Sequence, residues 1–191
     1  MTIKQKQCLL TYLGFYTGDI DGKWGKLSKE ATSAFQTACG MVATGTCDTA
    51  TEAALKHAVS NGMPVIELSW DDIKYFKRSE FACKCGKYCN GYPTEVDLGM
   101  VKIADAIRDW IGKPLRVNSG LRCKTHNANV GGVSNSQHLY GTACDLAKPD
   151  GVTPAQMAKI AEEIMGNTGG IGIYTWGIHI DNRKTKSRWN G

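Results

Sequence analysis

No apolar run in the 191-residue chain approaches the roughly 18 residues that a membrane-spanning helix needs, which excludes an integral helical membrane protein. The amino terminus is also short of apolar length. Met1-Thr-Ile-Lys-Gln-Lys-Gln is followed by only a few hydrophobic residues before Gly14, too few for the apolar region of a secretory signal. The chain is therefore expected to be made in the cytoplasm and, if it acts outside, to leave by another route. Histidine is scarce, with 4 in all, and His126, His138 and His179 fall in the C-terminal part near turns and strand ends. An isolated histidine is more often a hydrogen-bonded structural residue than a ligand, so any metal reading must come from its surroundings.

What is present is the composition of a folded soluble protein, 42% hydrophobic and 21% charged, at a length that suits two small domains better than one. Lysine and arginine outnumber acids 23 to 18, and the net charge of +5 favours a polyanionic surface without saying which. The basic residues Arg183, Lys184, Lys186 and Arg188, with Trp189 as a single aromatic neighbour, read as a solvated face. No nucleic-acid partner, no membrane partner and a monomeric state are expected. Without a signal peptide, the 8 cysteines read as reduced thiols or metal ligands, and as disulfides if the protein is released from the cell.

The first sixty or so residues alternate helical segments with glycine turns. Leu9, Leu10 and Leu13 lead into Gly14, and Gly18-Asp-Ile-Asp-Gly22 is a turn. Ser28 to Ala38 follows, with Ser28 as N-cap and Ala31, Ala34, Phe35 and Ala38 at helical spacing. After a turn near Gly45, Thr49 to Val59 supplies a third helix. These residues, above all Asp21-Gly-Lys-Trp-Gly25 and the helix ending in Phe35-Gln36, resemble the peptidoglycan-binding module of wall hydrolases over about residues 3–60. The resemblance implies tethering to peptidoglycan through Trp24, Tyr16 and Asp21, with Trp24 offering a ring to a sugar or packing inside.

Gly62 and Pro64 mark a boundary, giving a binding module at 1–62, a linker at 63–75 and a second domain at 76–191. A long helix is expected over Glu95–Ile111, capped by Thr94 and ended by Gly112, with Val96, Met100, Ile103, Ala104, Ile107 and Ile111 as its apolar stripe. Short strands are expected at Leu115–Asn118 and Thr142–Ala147. The box Thr153-Pro-Ala-Gln156 starts a helix that stops at Gly166 and Asn167, before a hairpin of Gly170–Tyr174 and Ile178–Asp181. The fold class is α+β, a three-helix bundle followed by a domain with a small antiparallel sheet.

The second domain carries Ser119-Gly-Leu-Arg122, His126, Ser136-Gln-His138, Ala143-Cys-Asp145 and Gly177-Ile-His179-Ile-Asp181. These motifs closely resemble the superfamily of zinc D-alanyl-D-alanine carboxypeptidases and L-alanyl-D-glutamate endopeptidases, which includes many phage endolysins, over about residues 70–189. The resemblance implies Zn2+ held by His138, Asp145 and His179, and Arg122 on a substrate carbonyl or carboxylate. The donor set suits that chemistry, because catalytic zinc takes three protein ligands and keeps a fourth position open. Arg122, Ser136, His126 and Trp176 are the expected substrate-binding residues.

Many relatives place an acidic general base three residues before the last ligand, where this chain has Trp176. Asp181 is then the expected base, with Tyr174 as an alternative catalytic group that stabilises an oxyanion. His179 and Asp181, two apart on a strand, share a face. The run Cys83-Lys-Cys85-Gly-Lys-Tyr-Cys89 offers thiols for a metal but shows no fourth ligand nearby, and reads as a stapled or packed loop; Cys123 supports the Arg122 loop, and Cys144 faces inward.

The function expected from these residues is zinc-dependent cleavage of an amide bond in peptidoglycan stem peptides by an endolysin-like enzyme let out through a holin. A non-catalytic wall-binding protein with a structural metal site is the alternative, motivated by Trp176.

Overall fold

The computed structural model describes residues 1–39, 41, 43–61, 68–166 and 168–191. Gly62, Pro64 and Asn167, expected as breakers, lie outside the described residues. Three helices open the chain: α1 (Ile3–Tyr12), α2 (Lys26–Ala38) and α3 (Thr49–Asn61). A capping box starts α1, in which the Thr2 side chain accepts from the Gln5 amide and the Gln5 side chain accepts from the Thr2 amide. Gly25, not Ser28, caps α2; Ser28 is buried inside the first turn because its hydroxyl accepts from Gln7 Nε2 at 3.3 Å. Ala31 and Phe35 of the expected apolar face are buried, whereas Ala34 and Ala38 are exposed.

Two fully or nearly buried glutamines hold the turns of this bundle. Gln7 donates from Nε2 to Asp21 Oδ1 and Lys23 O, both at 3.0 Å, and to Tyr16 Oη at 3.1 Å, while its Oε1 accepts the Gly22 amide at 2.9 Å. Gln36 repeats the device one turn later. Its Nε2 donates to Thr46 O and Thr51 Oγ1, and its Oε1 accepts the Gly45 amide at 2.9 Å. Gly22 and Gly45 have φ of 79° and 68°, a left-handed conformation that glycine adopts without steric cost.

The C-terminal part contains α4 (Leu98–Ile111), β1 (Arg116–Ser119), α5 (Lys124–Asn129), β2 (Ala143–Ala147), α6 (Pro154–Met165), β3 (Gly170–Tyr174), β4 (Gly177–Asp181) and β5 (Ser187–Asn190). Asp97, not Thr94, caps α4 by accepting the Met100 amide at 2.8 Å, and Gly112 ends it at φ 68°. The expected box at Thr153 and Gln156 starts α6.

The strands lie in the order β1-β2-β4-β3-β5, antiparallel except where β5 joins β3 in parallel, so the sheet is mixed. Of the expected basic face, Lys184 and Lys186 are exposed, whereas Arg188 lies in β5. Arg188 pairs with Glu162 of α6 and donates to the carbonyls of Gly166 and Thr168 at 3.1 and 3.2 Å, which satisfies groups beyond the end of α6.

One apolar core runs through the whole molecule. Leu9 and Leu10 of α1 belong to the same buried cluster as Ile103 and Ile107 of α4 and Ala161 and Ile164 of α6, and α1 packs on both α4 and α6. Each such side chain contributes roughly 1.5–3 kcal/mol on burial. The arrangement buries α4 on nearly every side, including Lys102 and Asp105, the latter accepting the amides of Lys74 and Tyr75. No helix among the described residues is long and apolar enough to cross a membrane.

Candidate metal centre

Strand register brings the site together. Asp145 of β2 lies directly opposite His179 of β4, and neighbours one residue away, Cys144, Leu146, Ile178 and Ile180, are fully buried on the other face. His138 comes from a short 3-10 turn over Gln137–Leu139 and is fixed from two sides. Its carbonyl accepts the Arg122 amide at 3.1 Å, and its Nδ1 lies 2.6 Å from Gly120 O.

Three donor atoms converge: His138 Nε2 and His179 Nδ1 are 3.2 Å apart, and Asp145 Oδ1 lies 3.2 Å from the first and 2.9 Å from the second. The outer ring nitrogens decide the tautomers. His138 Nδ1 faces a carbonyl, which can only accept, and His179 Nε2 faces Asp181 Oδ2 at 3.0 Å. Both N–H groups therefore point outward, and three lone pairs meet in a buried space with no proton between them. That is costly unless a cation sits among them. A tetrahedral ion with bonds of about 2.0 Å has edges of roughly 3.3 Å, so the donor set and its spacing fit zinc.

The charges around the donors act in opposite directions. Burial chiefly lowers the His138 pKa, keeping the imidazole neutral. Burial also opposes the charged form of His179, but Asp145 and Asp181 outweigh it and raise its pKa. Burial likewise disfavours the Asp145 carboxylate, yet the adjoining His138 and His179 side chains hold its pKa well below the usual range. Arg122 anchors the ligand's second oxygen, with Nη2 donating to Asp145 Oδ2 at 2.6 Å and Nε to Ser119 Oγ at 2.8 Å.

The donors open into a cleft of about 640 Å³ that Arg122, Ser136, Tyr174 and Trp176 also line. Tyr174 and Trp176 stack at 4.8 Å with an interplanar angle of 14°. Two expected site residues are placed elsewhere. His126 sits on α5, its amide donating to Cys123 Sγ, and does not line the cleft. Asp181 shares the face of His179 but is sealed behind it. Its Oδ2 accepts from His179 and from Arg183 Nη2, its Oδ1 from Arg183 Nε and the amides of Gly170 and Arg183, and none of its surface is exposed. A carboxylate so occupied orients the imidazole and cannot reach a water in the cleft, so the expectation of a general base there is corrected.

Sequence reading missed Trp189, Arg183 and Gly172. Trp189 lines the cleft, packs 5.2 Å from the His179 ring and donates from Nε1 to the Tyr174 hydroxyl at 3.0 Å. Gly172, opposite both His179 and Trp189, makes room for that indole, since a Cβ there would fall 2.5 Å from Trp189 Cε2. The alternation Ser187-Arg-Trp-Asn190 was the available signal for a strand, masked by its charges.

In the N-terminal bundle, Tyr16 is 5% exposed and donates to Asp19 O, so its ring cannot meet a sugar as expected. Asp21 is exposed but holds Gln7 and the Lys23 amide. Trp24 is half-buried, its Nε1 on Gly45 O and Lys6 over its ring.

The Peptidase M15 family model matches residues 74–181, and a peptidoglycan binding domain model matches residues 2–55. The zinc D-Ala-D-Ala carboxypeptidase of Streptomyces albus G is 33% identical over 128 residues, covering 66% of this chain and 49% of that protein. The chain thus spans about half the length of the curated relative it matches.

Proposed function

Because the chain belongs to the Peptidase M15 family, we propose that it hydrolyses an amide bond in peptidoglycan stem peptides with Zn2+ held by His138, Asp145 and His179. The observation that carries this reading is the meeting of a carboxylate oxygen with two imidazole nitrogens whose rings turn their other nitrogen outward to an acceptor. Zinc in such a site supplies Lewis acidity, bringing the pKa of water to about 7 and polarising a carbonyl.

The chain's own residues supply the rest. Gly120 O and Asp181 fix the imidazole tautomers, and Arg122 fixes the carboxylate of Asp145 while bringing positive charge to the cleft, where a substrate carbonyl or terminal carboxylate would sit. Trp189 can only donate, so Tyr174 Oη accepts from it and keeps its own proton to offer to a developing oxyanion. The stacked Tyr174 and Trp176 form an apolar wall against which a small stem-peptide side chain excludes water.

The N-terminal module tethers the enzyme to the wall, and Trp24, half-buried beside the exposed Asp21, is its candidate sugar-contacting ring. Release through a holin-type lesion completes an endolysin-like role. The test is digestion of purified sacculi by the zinc-loaded full chain, with mass spectrometry of the new termini, which name the bond. Chelation should abolish cleavage and zinc restore it. Intact stem peptides after exposure to protein carrying its zinc would sink the reading. Trp24→Ala should lower wall affinity by about tenfold, in line with the loss of one aromatic contact, with hydrolysis of soluble muropeptides unchanged.

A second reading is a wall-binding protein with a metal site that turns nothing over. It is favoured by one observation: Asp145, already a metal donor, is the sole carboxylate lining the cleft among the described residues. A binder keeps its wall affinity with and without chelator and releases no new termini.

A further inference from the structure

Four cysteines that the zinc centre does not use meet directly behind Arg122. Cys83, Cys85 and Cys89 lie in the loop after a 3-10 turn at Arg78–Phe81, and Cys123 caps the start of α5. The fourth ligand that the local sequence lacks is thus delivered by a distant segment. One donor atom from each cysteine lies within 4.8 Å of every other, and Cys85 and Cys89 Sγ are 3.4 Å apart. A tetrahedron of sulfurs around an ion with bonds of about 2.3 Å has edges of roughly 3.8 Å, so a small inward adjustment closes the set.

The backbone is arranged for charged sulfur. The Cys123 amide donates to Cys83 Sγ at 3.3 Å and the His126 amide to Cys123 Sγ at 3.4 Å. Cys85 Sγ lies 3.9 Å from Cys89 O and 3.4 Å from Cys89 Sγ, so these two sulfurs sit side by side in the same turn. A cysteine packed as a small hydrophobe needs no such donors, whereas a thiolate does. Cys83 and Cys123, one from each segment, receive them.

We propose that Cys83, Cys85, Cys89 and Cys123 form a second metal centre, a closed structural site that holds one divalent ion of the zinc type by four thiolates. On binding, four S–H groups release their protons to solvent as four metal–sulfur bonds form, with no change of oxidation state. The site ties the 83–89 loop to the residue after Arg122. The same seam is reinforced by the Leu121 amide on Phe81 O at 2.8 Å and by Gly120, whose Cβ would lie 2.4 Å from that oxygen. Gly120 O fixes His138 and Arg122 fixes Asp145, so the thiolate centre braces the back of the first site.

Full-length protein, purified anaerobically, should carry two zinc ions per chain by elemental analysis. Cobalt-substituted protein should show the intense sulfur-to-metal charge-transfer band that a site of two imidazoles and a carboxylate does not give. Asp145→Ala should retain one metal and the band; Cys89→Ser combined with Cys123→Ser should retain one metal and lose it. A wild-type chain with a single metal and no sulfur band, or an intact mass showing these cysteines paired as disulfides, overturns the proposal without any need for the variants to fold. Failure of peptidoglycan cleavage alone leaves these counts unmoved, so the two proposals fail separately.

Discussion

The two ends of the molecule bury polar side chains to opposite effect. In the helical bundle, Gln7 and Gln36 each present a donor and an acceptor, and every partner around them is of the complementary kind, so the amides close their own loops and nothing is left for a ligand. Around β2 and β4, three acceptors face one another, and the two imidazole protons are turned away. Buried polarity that satisfies itself builds a fold; buried polarity left mutually unsatisfied asks for an ion.

The largest effect that follows from this contrast is at Asp145. Asp145→Ala removes a donor and leaves Arg122 without its partner. Zinc content at the first site should fall to background and hydrolysis by about a thousandfold or more, about 4 kcal/mol. Retained cleavage at wild-type rate in a variant shown to lack that zinc would break the comparison.

Next come the glutamines. Gln7→Ala or Gln36→Ala strands several buried partners and should cost about 2–3 kcal/mol of stability, read as a lower denaturation midpoint. Zinc content and turnover of soluble muropeptides at low temperature should be unchanged. Because Leu9 and Leu10 share a core with α4 and α6, unfolding should remain one transition, and excision of the first sixty or so residues would strip cover from α4 rather than give a clean catalytic fragment. Point variants are therefore the sharper way to separate tethering from chemistry.

Asp181 sharpens the comparison further, since it belongs to the site yet is as fully satisfied as Gln7. Asp181→Asn keeps an acceptor for His179 Nε2 and removes the charge. Zinc affinity should fall by about 10–100-fold, with turnover largely recovered at saturating zinc. A turnover defect that persists with the site filled would restore the carboxylate as a proton acceptor.

These differences explain what could be read in advance. His138, Asp145 and His179 were expected from the resemblance of the motifs that carry them, whereas the register that sets Asp145 opposite His179 comes from the pairing of two separate strands. The boundaries of α6 were legible from its Thr153 box and Gly166, whereas the Thr2 capping box that starts α1 came only from the structure. Cys123 was not, because its partnership with Cys83 depends on how two loops meet and not on spacing. Nor was β5. Its arginine looks solvent-directed until Glu162 and the carbonyls after α6 are seen to absorb it. Tyr16 and Asp21 carried a functional look for a structural reason, since the same side chains that decorate the turn are the ones Gln7 needs.

The smallest expected effect concerns the strand that sequence reading missed. Burial raises the Glu162 carboxyl, but Lys186 and Arg188 outweigh it and hold its folded pKa below the ordinary 4.5. Its contribution is therefore present in full above about 4.5, the unfolded value, and is lost as pH falls through the lower folded one. The side chains are 39% and 25–42% exposed, so solvent screening limits the gain to about half a kcal/mol. Melting temperature against pH for wild type and Glu162→Gln should show a small gap at neutral pH that closes as the pH falls below 4.5 through the lower folded value, and that narrows with added salt. A gap that persists in acid would mean that β5 is held by its backbone pairing to β3 and by Trp189, with the ion pairs along for the ride.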